Sequence, residues 1–372
     1  MEEAPVRVLF CNWRDTKNPE GGGSERYVEA MARGLAARGE QVTIFCAAHN
    51  RAPTDETIDG VRFVRRGSKL DVYLRAFVGI LFRRFGKIDV VVDVQNGLPF
   101  FTRLATRKPV VVLVHHVHRE QWPVVYPGPM GKIGWWIESW LAPRLYRRSH
   151  YVAVSNSTRD ELVQLGVDRE RISIVHNGND PAPAIQGGRT SMPRICVVGR
   201  LVPHKQVEHA IDAVVVLRDE FPELVLDVVG AGWWEDELRD YATGRHIADR
   251  INFHGFVDEQ EKHEIYAHSW LMALPSLKEG WGIVIGEAGT HATPAVAYRS
   301  AGGTRESIED DVSGVLVDSR EEFVATIAQL LRNDERRLRL GEGALKMSHQ
   351  FTWANSQQEF ARVLYRAVAQ NV

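Results

Sequence analysis

Short apolar runs alternate along this chain with segments whose apolar positions recur every three or four residues. Residues 6–11 (Val-Arg-Val-Leu-Phe-Cys) form a run of strand length. Residues 25–38 carry Val28, Met31 and Leu35 at helical spacing before Gly39 stops the helix. Further strands are expected over 41–47, 89–94, 109–115 and 151–155. Apolar strands separated by amphipathic helices are the pattern of a parallel sheet covered on both faces. The pattern breaks over 179–193, where Pro181, Pro183, Gly187, Gly188 and Pro193 accompany few large apolar residues. It then resumes, predicting strands at 194–199, 224–229, 251–254, 270–274 and 294–297. Helices are expected over 207–220, 234–242, from Asp258 onward, and around 283–291. Asp258 with Glu261 three residues on reads as a capping box. A last amphipathic helix is expected over 354–372.

The expected fold is α/β, with two doubly wound, Rossmann-like domains facing a cleft. The first spans 1–180, a linker 181–193 follows, and the second spans 194–354, with the helix from about 355 to 372 placed to pack back on the first. A length of 372 exceeds one comfortable core, which supports two domains. No repeat at a 20–50-residue period suggests a solenoid.

Composition narrows the function classes. No stretch approaches 18 uninterrupted apolar residues, so no bilayer span is expected. Cys11, Cys46 and Cys196 lie far apart, which excludes a disulfide framework and fits a reducing cytosol. Met1-Glu2-Glu3-Ala4-Pro5 is acidic and leads straight into a strand, unlike a signal peptide. A cytoplasmic protein is expected. Net charge is −2, but the halves differ: 1–180 hold 26 Lys+Arg against 20 Asp+Glu, and 69–148 hold 13 against 5. Such a bias suits an anionic surface, and a peripheral position at the inner face of a membrane is one expectation. Two amphipathic stretches, 73–87 and 135–148, carry Phe, Leu and Trp beside Arg and Lys. The competing expectation is that these helices bury their apolar stripes on the sheet and expose their charges.

Three clusters carry candidate chemistry. A glycine-rich loop, Gly21-Gly22-Gly23-Ser24, precedes a helix whose N-terminus could receive an anion. A NAD site does not fit it: the glycines come ten residues after the first strand, the GxGxxG spacing is absent, and the second strand ends without Asp or Glu. Gly199, Arg200 and Lys205 follow the strand 194–199, where open α/β sheets place ligands. Lys205 is expected at a helix start, where its charge opposes the dipole unless an anion such as a diphosphate compensates. Glu279 and Glu287 stand eight positions apart around Gly280-Trp281-Gly282-Ile283. The glycines allow close backbone approach, and the carboxylates can accept bonds from sugar hydroxyls. His115, His116 and His118 tempt a metal reading. Residues 115 and 116 point oppositely if extended, and no Asp-x-Asp occurs, so no metal is expected.

These residues bring the chain, over nearly its whole length, to resemble the retaining glycosyltransferases of family 4, which have the GT-B architecture. Glu279 and Glu287 match that family's Glu-x7-Glu motif, and Gly199, Arg200 and Lys205 its Gly-Arg-x-x-x-x-Lys signature. Residues 171–178 are similar to a stretch that usually ends Pro-Asn-Gly, with His176 in place of Pro. His254-Gly255-Phe256-Val257 resembles the segment that meets the nucleobase, and Gly302-Gly303-Thr304-Arg305-Glu306 the late Gly-Gly-x-x-Glu. The resemblance implies a nucleotide diphosphate sugar donor, linked to GDP or UDP, and a sugar, glycan or lipid-linked acceptor. It implies no cofactor, no metal and no nucleic acid. Gly22 and Gly23 would approach the donor, Arg200 and Lys205 would neutralise the leaving diphosphate, and His115 would touch the transferred sugar. Glu279 with the backbone of Gly280, Trp281 and Gly282 would hold that sugar, Glu287 the ribose, and Phe256 and Val257 the base, with Gly199 and Ile283 beside the donor. Trp281 departs from the usual Phe, and His116 stands where Asp is common. No carboxylate has a nucleophile's position, so the implied mechanism is a same-face attack assisted by the leaving phosphate. A nucleotide-sugar epimerase and a non-catalytic binding protein are the alternatives.

Overall fold

The computed structural model describes residues 4–370. The first three residues of the acidic N-terminal segment and the last two of the expected terminal helix lie outside the described residues. The chain divides into two compact units. One comprises the residues up to Asn177 together with those from Trp353 onward, and the other runs from Gly178 to Thr352.

The first unit is built on an eight-stranded sheet: β1 (Arg7–Cys11), β2 (Gln41–Cys46), β3 (Asp55–Ile58), β4 (Val61–Arg65), β5 (Val90–Gln95), β6 (Val110–Val114), β7 (His150–Ala153) and β8 (Ile172–Ile174). Their spatial order is β3-β4-β2-β1-β5-β6-β7-β8. β5 and β6 are mostly valine and wholly buried, as suits strands covered on both faces, and the buried Asp93 of β5 accepts from Phe100 N–H, Thr102 Oγ1 and Tyr146 Oη. One edge departs from the expected parallel sheet: β3 pairs antiparallel with β4. The cause is local. Asp59 and Gly60 both take positive φ, 49° and 78°, as a two-residue hairpin turn demands. β3 alternates exposed and half-buried residues, which suits an edge strand. The short strand β8 also goes beyond the expected elements.

The helix Trp353–Ala369 belongs to this first unit although it ends the chain. Its face packs on the helix Gly23–Ala36 and on β5 and β6. Phe360 stacks on Phe10 with ring centroids 5.9 Å apart, and Gln357 Nε2 donates to the Ala30 carbonyl at 2.9 Å. A β-carbon on Gly34 would run into Gln357, so the two helices meet where one side chain is missing.

The second unit holds six parallel strands: β9 (Arg194–Val198), β10 (Val225–Val229), β11 (Ile251–Gly255), β12 (Leu271–Leu274), β13 (Ala295–Tyr298) and β14 (Gly314–Val317). The order is β11-β10-β9-β12-β13-β14. Helices cover both faces. One core contains Ile211, Val214, Phe323 and Ile327, and the other Ile265, Tyr266, Ile285 and Ala288. Residues 180–193 carry no helix or strand. Asn179 N–H donates to the Phe351 carbonyl at 2.9 Å, so the chain enters and leaves this unit at adjacent points. The helices Arg320–Arg332 and Asp334–Gln350, with β14, fill a region for which apolar spacing gave no expectation. Their caps are local and legible: Ser319 accepts from Glu322 N–H, and Asn333 from Arg336 N–H. Asp258 does accept from Glu261 N–H at 2.9 Å, as the capping pattern requires. Among the described residues no helix is long and apolar enough to cross a membrane.

Removing the terminal helix's anchor should open the first unit. Phe360→Ala, at a fully buried aromatic, should cost about 3–5 kcal/mol. Urea unfolding of the variant measures this, and a loss under about 1 kcal/mol would mean that the helix does not hold the unit together.

Candidate functional site

Strand order reverses at β9, which has β10 on one side and β12 on the other. Open α/β sheets bind ligands at such a point, outside the carboxyl ends of the strands. The loops carrying Arg200–Lys205 and Ser276–Gly282 leave from these two neighbouring strands. A small cavity opens there, lined by Gly199, Arg200, Lys205, Pro275 and Ser276 among others.

Lys205 does not open a helix. It closes a 3₁₀ turn, Pro203–Lys205, Gln206 follows at φ 50°, and the helix Glu208–Leu217 starts later. The expected conflict with a helix dipole therefore does not arise, and a local carboxylate compensates the cation instead. Lys205 Nζ stands 2.5 Å from Glu279 Oε1, both side chains being mostly buried. The cation expected at the phosphates and the carboxylate expected at the sugar are one ion pair. An ammonium has three donors, so Glu279 takes one of them. Ser276 is a residue that sequence reasoning missed. It is fully buried, it lines the same cavity, and its hydroxyl has no hydrogen-bond partner among the described residues. Its one legible signal is a polar residue just past the end of an apolar strand.

Both loops are set by close backbone contacts. A β-carbon on Gly230 would run into the carbonyl oxygen of Gly199, and one on Gly232 into that of Leu201. Leu201 N–H donates to Ala231 at 3.1 Å, and Trp234 N–H to Leu201 at 3.1 Å. In the same way a β-carbon on Gly303 would run into the Gly280 carbonyl. Glu279 N–H donates to Ala301 at 2.7 Å, and Gly303 N–H to Glu279 at 3.0 Å. The late Gly302-Gly303 pair is thus a clamp on the Glu279 loop.

Trp281 is buried, with its ring 4.8 Å from that of Phe351 and its carbonyl accepting from Ser307 Oγ at 2.8 Å. Its indole packs in the unit's interior, so the replacement of Phe by Trp enlarges a packing residue. Gly282 takes φ 87° before the helix Ile283–Gly289, and Ile283 is buried. Glu287 is buried within this helix. Its Oε2 accepts from Tyr266 Oη at 3.0 Å, and Lys262 Nζ lies 3.1 Å away. Burial, and then the charge of Glu287, push the Tyr266 phenol well up from its ordinary range. Gly255 ends β11 at φ 66°, Phe256 is exposed, and Val257 packs on the Ile265 core.

The remaining candidates belong to the first unit. The Gly22 amide donates to Glu25 Oε2 at 2.8 Å, and Gly23 opens the helix. Glu25 is itself fully buried against Arg14, whose Nε lies at 3.0 Å. His115 lies just past β6, buried and edge-on to Tyr27 at 5.3 Å. Its Nε2 has no hydrogen-bond partner among the described residues. Burial pushes its pKa down to about 4, Glu25 opposing and His118 adding to the shift. His116 Nε2 meets Gln121 Oε1 at 2.9 Å, and His118 Nδ1 meets Glu138 Oε1 at 3.0 Å. The histidine cluster is thus shared among separate partners. Among the described residues no group of three His, Cys, Asp or Glu is arranged to hold a metal ion.

A pH dependence of stability follows from His115. Its folded pKa of about 4 lies below the ordinary 6.5, so the unfolded chain binds this proton first. The contribution is complete above pH 6.5 and is lost as pH falls towards 4. In urea unfolding between these limits, His115→Gln should show a shallower decline than the wild type; equal slopes would refute the assignment.

Comparison with known proteins extends this geometry. The model for Glycosyltransferase Family 4 matches residues 21–182, and that for glycosyl transferases group 1 matches 182–347. A D-inositol 3-phosphate glycosyltransferase of Xylanimonas cellulosilytica is 30% identical, over 90% of this chain and 89% of that protein. Glycogen synthase of Mycobacterium tuberculosis is 26% identical, over 88% and 86%. Sucrose-phosphate synthase from Thermosynechococcus elongatus has a TM-score of 0.82 at 15% identity, covering 99% of this chain and 100% of that one. HepE of Anabaena, in complex with UDP and glucose, has a TM-score of 0.76 at 19% identity, covering 97% and 99%. The structural likenesses establish the fold. With two family models spanning 21–347 and a relative 30% identical over 90% of this chain, the chain belongs to the family 4 glycosyltransferases and has their GT-B fold.

Proposed function

We propose that this glycosyltransferase moves a hexosyl group from a UDP- or GDP-linked sugar to an acceptor hydroxyl, with retention of configuration and without a metal ion. The observation that carries the reading is the Lys205–Glu279 pair beside Arg200 at the strand-order reversal. Relatives named for glycosyl transfer favour it over an epimerase or a non-catalytic binder. The HepE complex with UDP and glucose supports UDP as the first donor to try. The acceptor is a sugar, a glycan or a lipid-linked sugar, and its binding is assigned to the first unit.

The physical problem is leaving-group charge. As the glycosidic bond breaks, the diphosphate gains negative charge and the sugar becomes oxocarbenium-like. Arg200 and Lys205 stabilise the former, with the Ser276 hydroxyl as a neutral donor in the same cavity. Fixed donors of this kind are worth about 3 kcal/mol each where they meet developing charge. Glu279, held by Lys205 and by the Gly303 clamp, presents its other oxygen to sugar hydroxyls. Glu287, fixed by Tyr266 and Lys262, serves the ribose, and Phe256 and Val257 the base. His115, neutral at pH 7, is assigned to a sugar hydroxyl as an uncharged partner. Two cations at the phosphates make a divalent ion redundant.

Arg200→Ala and Lys205→Ala should each lower turnover by about a hundredfold or more; Lys205→Ala, which strips Glu279 of its partner, should also lower stability while still folding. Wild-type turnover in either folded variant would remove the clamp. Activity should survive excess EDTA, and NMR of the product should show the donor's anomeric configuration. A strict Mg²⁺ requirement restored on add-back, or an inverted anomer, would overturn those parts of the reading.

A further inference from the structure

The helix Pro129–Trp136 runs on through a π-turn, Ile137–Leu141, into Ala142–Leu145. A helix on an α/β domain ordinarily buries its apolar stripe and exposes its charges. This one packs Trp135, Ala142 and Leu145 on the core but leaves other large apolar side chains outside. Its buried side is Gly131, Gly134, Glu138, Ala142 and Pro143. Its outer side shows Met130, Ile133, Trp136 and Trp140, which are 66%, 54%, 49% and 45% exposed. The orientation is forced from below. A β-carbon on Gly131 would meet the Tyr126 carbonyl, and one on Gly134 the Trp122 ring. Glu138 accepts from Trp122 Nε1 at 2.6 Å and from the His118 amide at 3.1 Å. Rotating the helix to hide its tryptophans would expel that carboxylate's partners and drive large side chains into the glycine contacts.

The surface extends beyond one helix. Trp136 and Trp140 stack at 5.3 Å, and the Arg144 guanidinium lies 4.3 Å over Trp140. Tyr126, also exposed, lies against Trp122 with ring centroids 5.8 Å apart. In the same unit the helix Asp71–Leu81 and its flanks expose Leu70, Leu74, Leu81 and Phe82. Around these apolar groups stand Arg83, Arg84, Lys87, Lys132, Arg147 and Arg148, whose side chains form no ion pair among the described residues.

We propose that this face of the first unit docks on an anionic lipid bilayer. Exposed Trp, Met and Ile reach the acyl boundary while Arg and Lys meet the headgroups. A second copy of the chain is a poorer occupant, since a two-fold interface would bring the same unpaired cations together. The proposal does not depend on the donor assignment, and it places the enzyme where lipid-linked acceptors are.

The test uses the full chain and vesicles of phosphatidylcholine with or without phosphatidylglycerol. Binding to the anionic vesicles should exceed binding to the neutral ones by about tenfold or more and fall with added salt. Trp136→Ser/Trp140→Ser should lose most of that binding with an unchanged thermal transition, since both residues are exposed. Brominated lipids should quench wild-type tryptophan fluorescence and lose this effect in the double variant. Arg147→Glu/Arg148→Glu should weaken binding while keeping both tryptophans. Four results would each overturn the proposal: no binding to anionic vesicles at low salt, equal salt-independent binding to both kinds, unchanged binding in both double variants, or a dimer in sedimentation analysis that the tryptophan substitutions dissolve.

Discussion

The carbonyl oxygens of Gly199 and Gly280 occupy the space that a β-carbon on Gly230 and Gly303 would need. These two contacts fix the loops that follow β9 and β12, and almost everything proposed for the second unit is referenced to them. Backbone against backbone leaves no slack for a rotamer to absorb, unlike a side-chain contact. With both loops seated, Lys205 reaches Glu279 and the switch-point cavity keeps its shape. Displacing either loop by the width of a methyl group would separate the pair and leave a mostly buried charge short of its partner, which costs far more than losing an exposed ion pair.

The two carboxylates of the Glu-x7-Glu motif turn out to be matched, each to a lysine from a different element. Glu279 takes Lys205 from the β9 loop, and Glu287 takes Lys262 from the helix Glu259–His268. Each pairing sets a lysine ammonium against a mostly buried carboxylate, so that neither charge stands alone in a partly dry setting. It also leaves each glutamate with capacity to accept from a hydroxyl.

Most strands of both units were legible because buried parallel strands are bare apolar runs, as in Val90–Val92 and Val110–Val112, whereas β3, β4, β8 and β14 were not foreseen. The motifs were legible because they are local in sequence. What escaped was of two kinds. Sheet order is not written in periodicity, so the Lys205–Glu279 pair, 74 residues apart, could not be foreseen. Nor does periodicity say which way a stripe faces. The tryptophans of 135–148 read equally well as core or surface until Trp135 is found against the core and Trp136 and Trp140 outside it, with Gly131, Gly134 and Glu138 underneath. The Asp59-Gly60 hairpin and the Ser319 and Asn333 caps did carry readable signals, in turn and cap chemistry rather than in apolar spacing.

The last helix, Trp353–Ala369, completes the unit that the first residues begin. In the order of synthesis, that unit is left open until this helix has emerged, after the whole of the second unit. β5 and β6 emerge early, yet part of their cover, Phe360 included, leaves the ribosome only after the second unit. The second unit, one continuous stretch from Gly178 to Thr352, can close before it. Domains usually fold in their order of emergence, first part first. Here the chain's topology reverses that order, and a nascent or truncated product carries an uncovered valine sheet in the meantime, the kind of surface on which chaperones act.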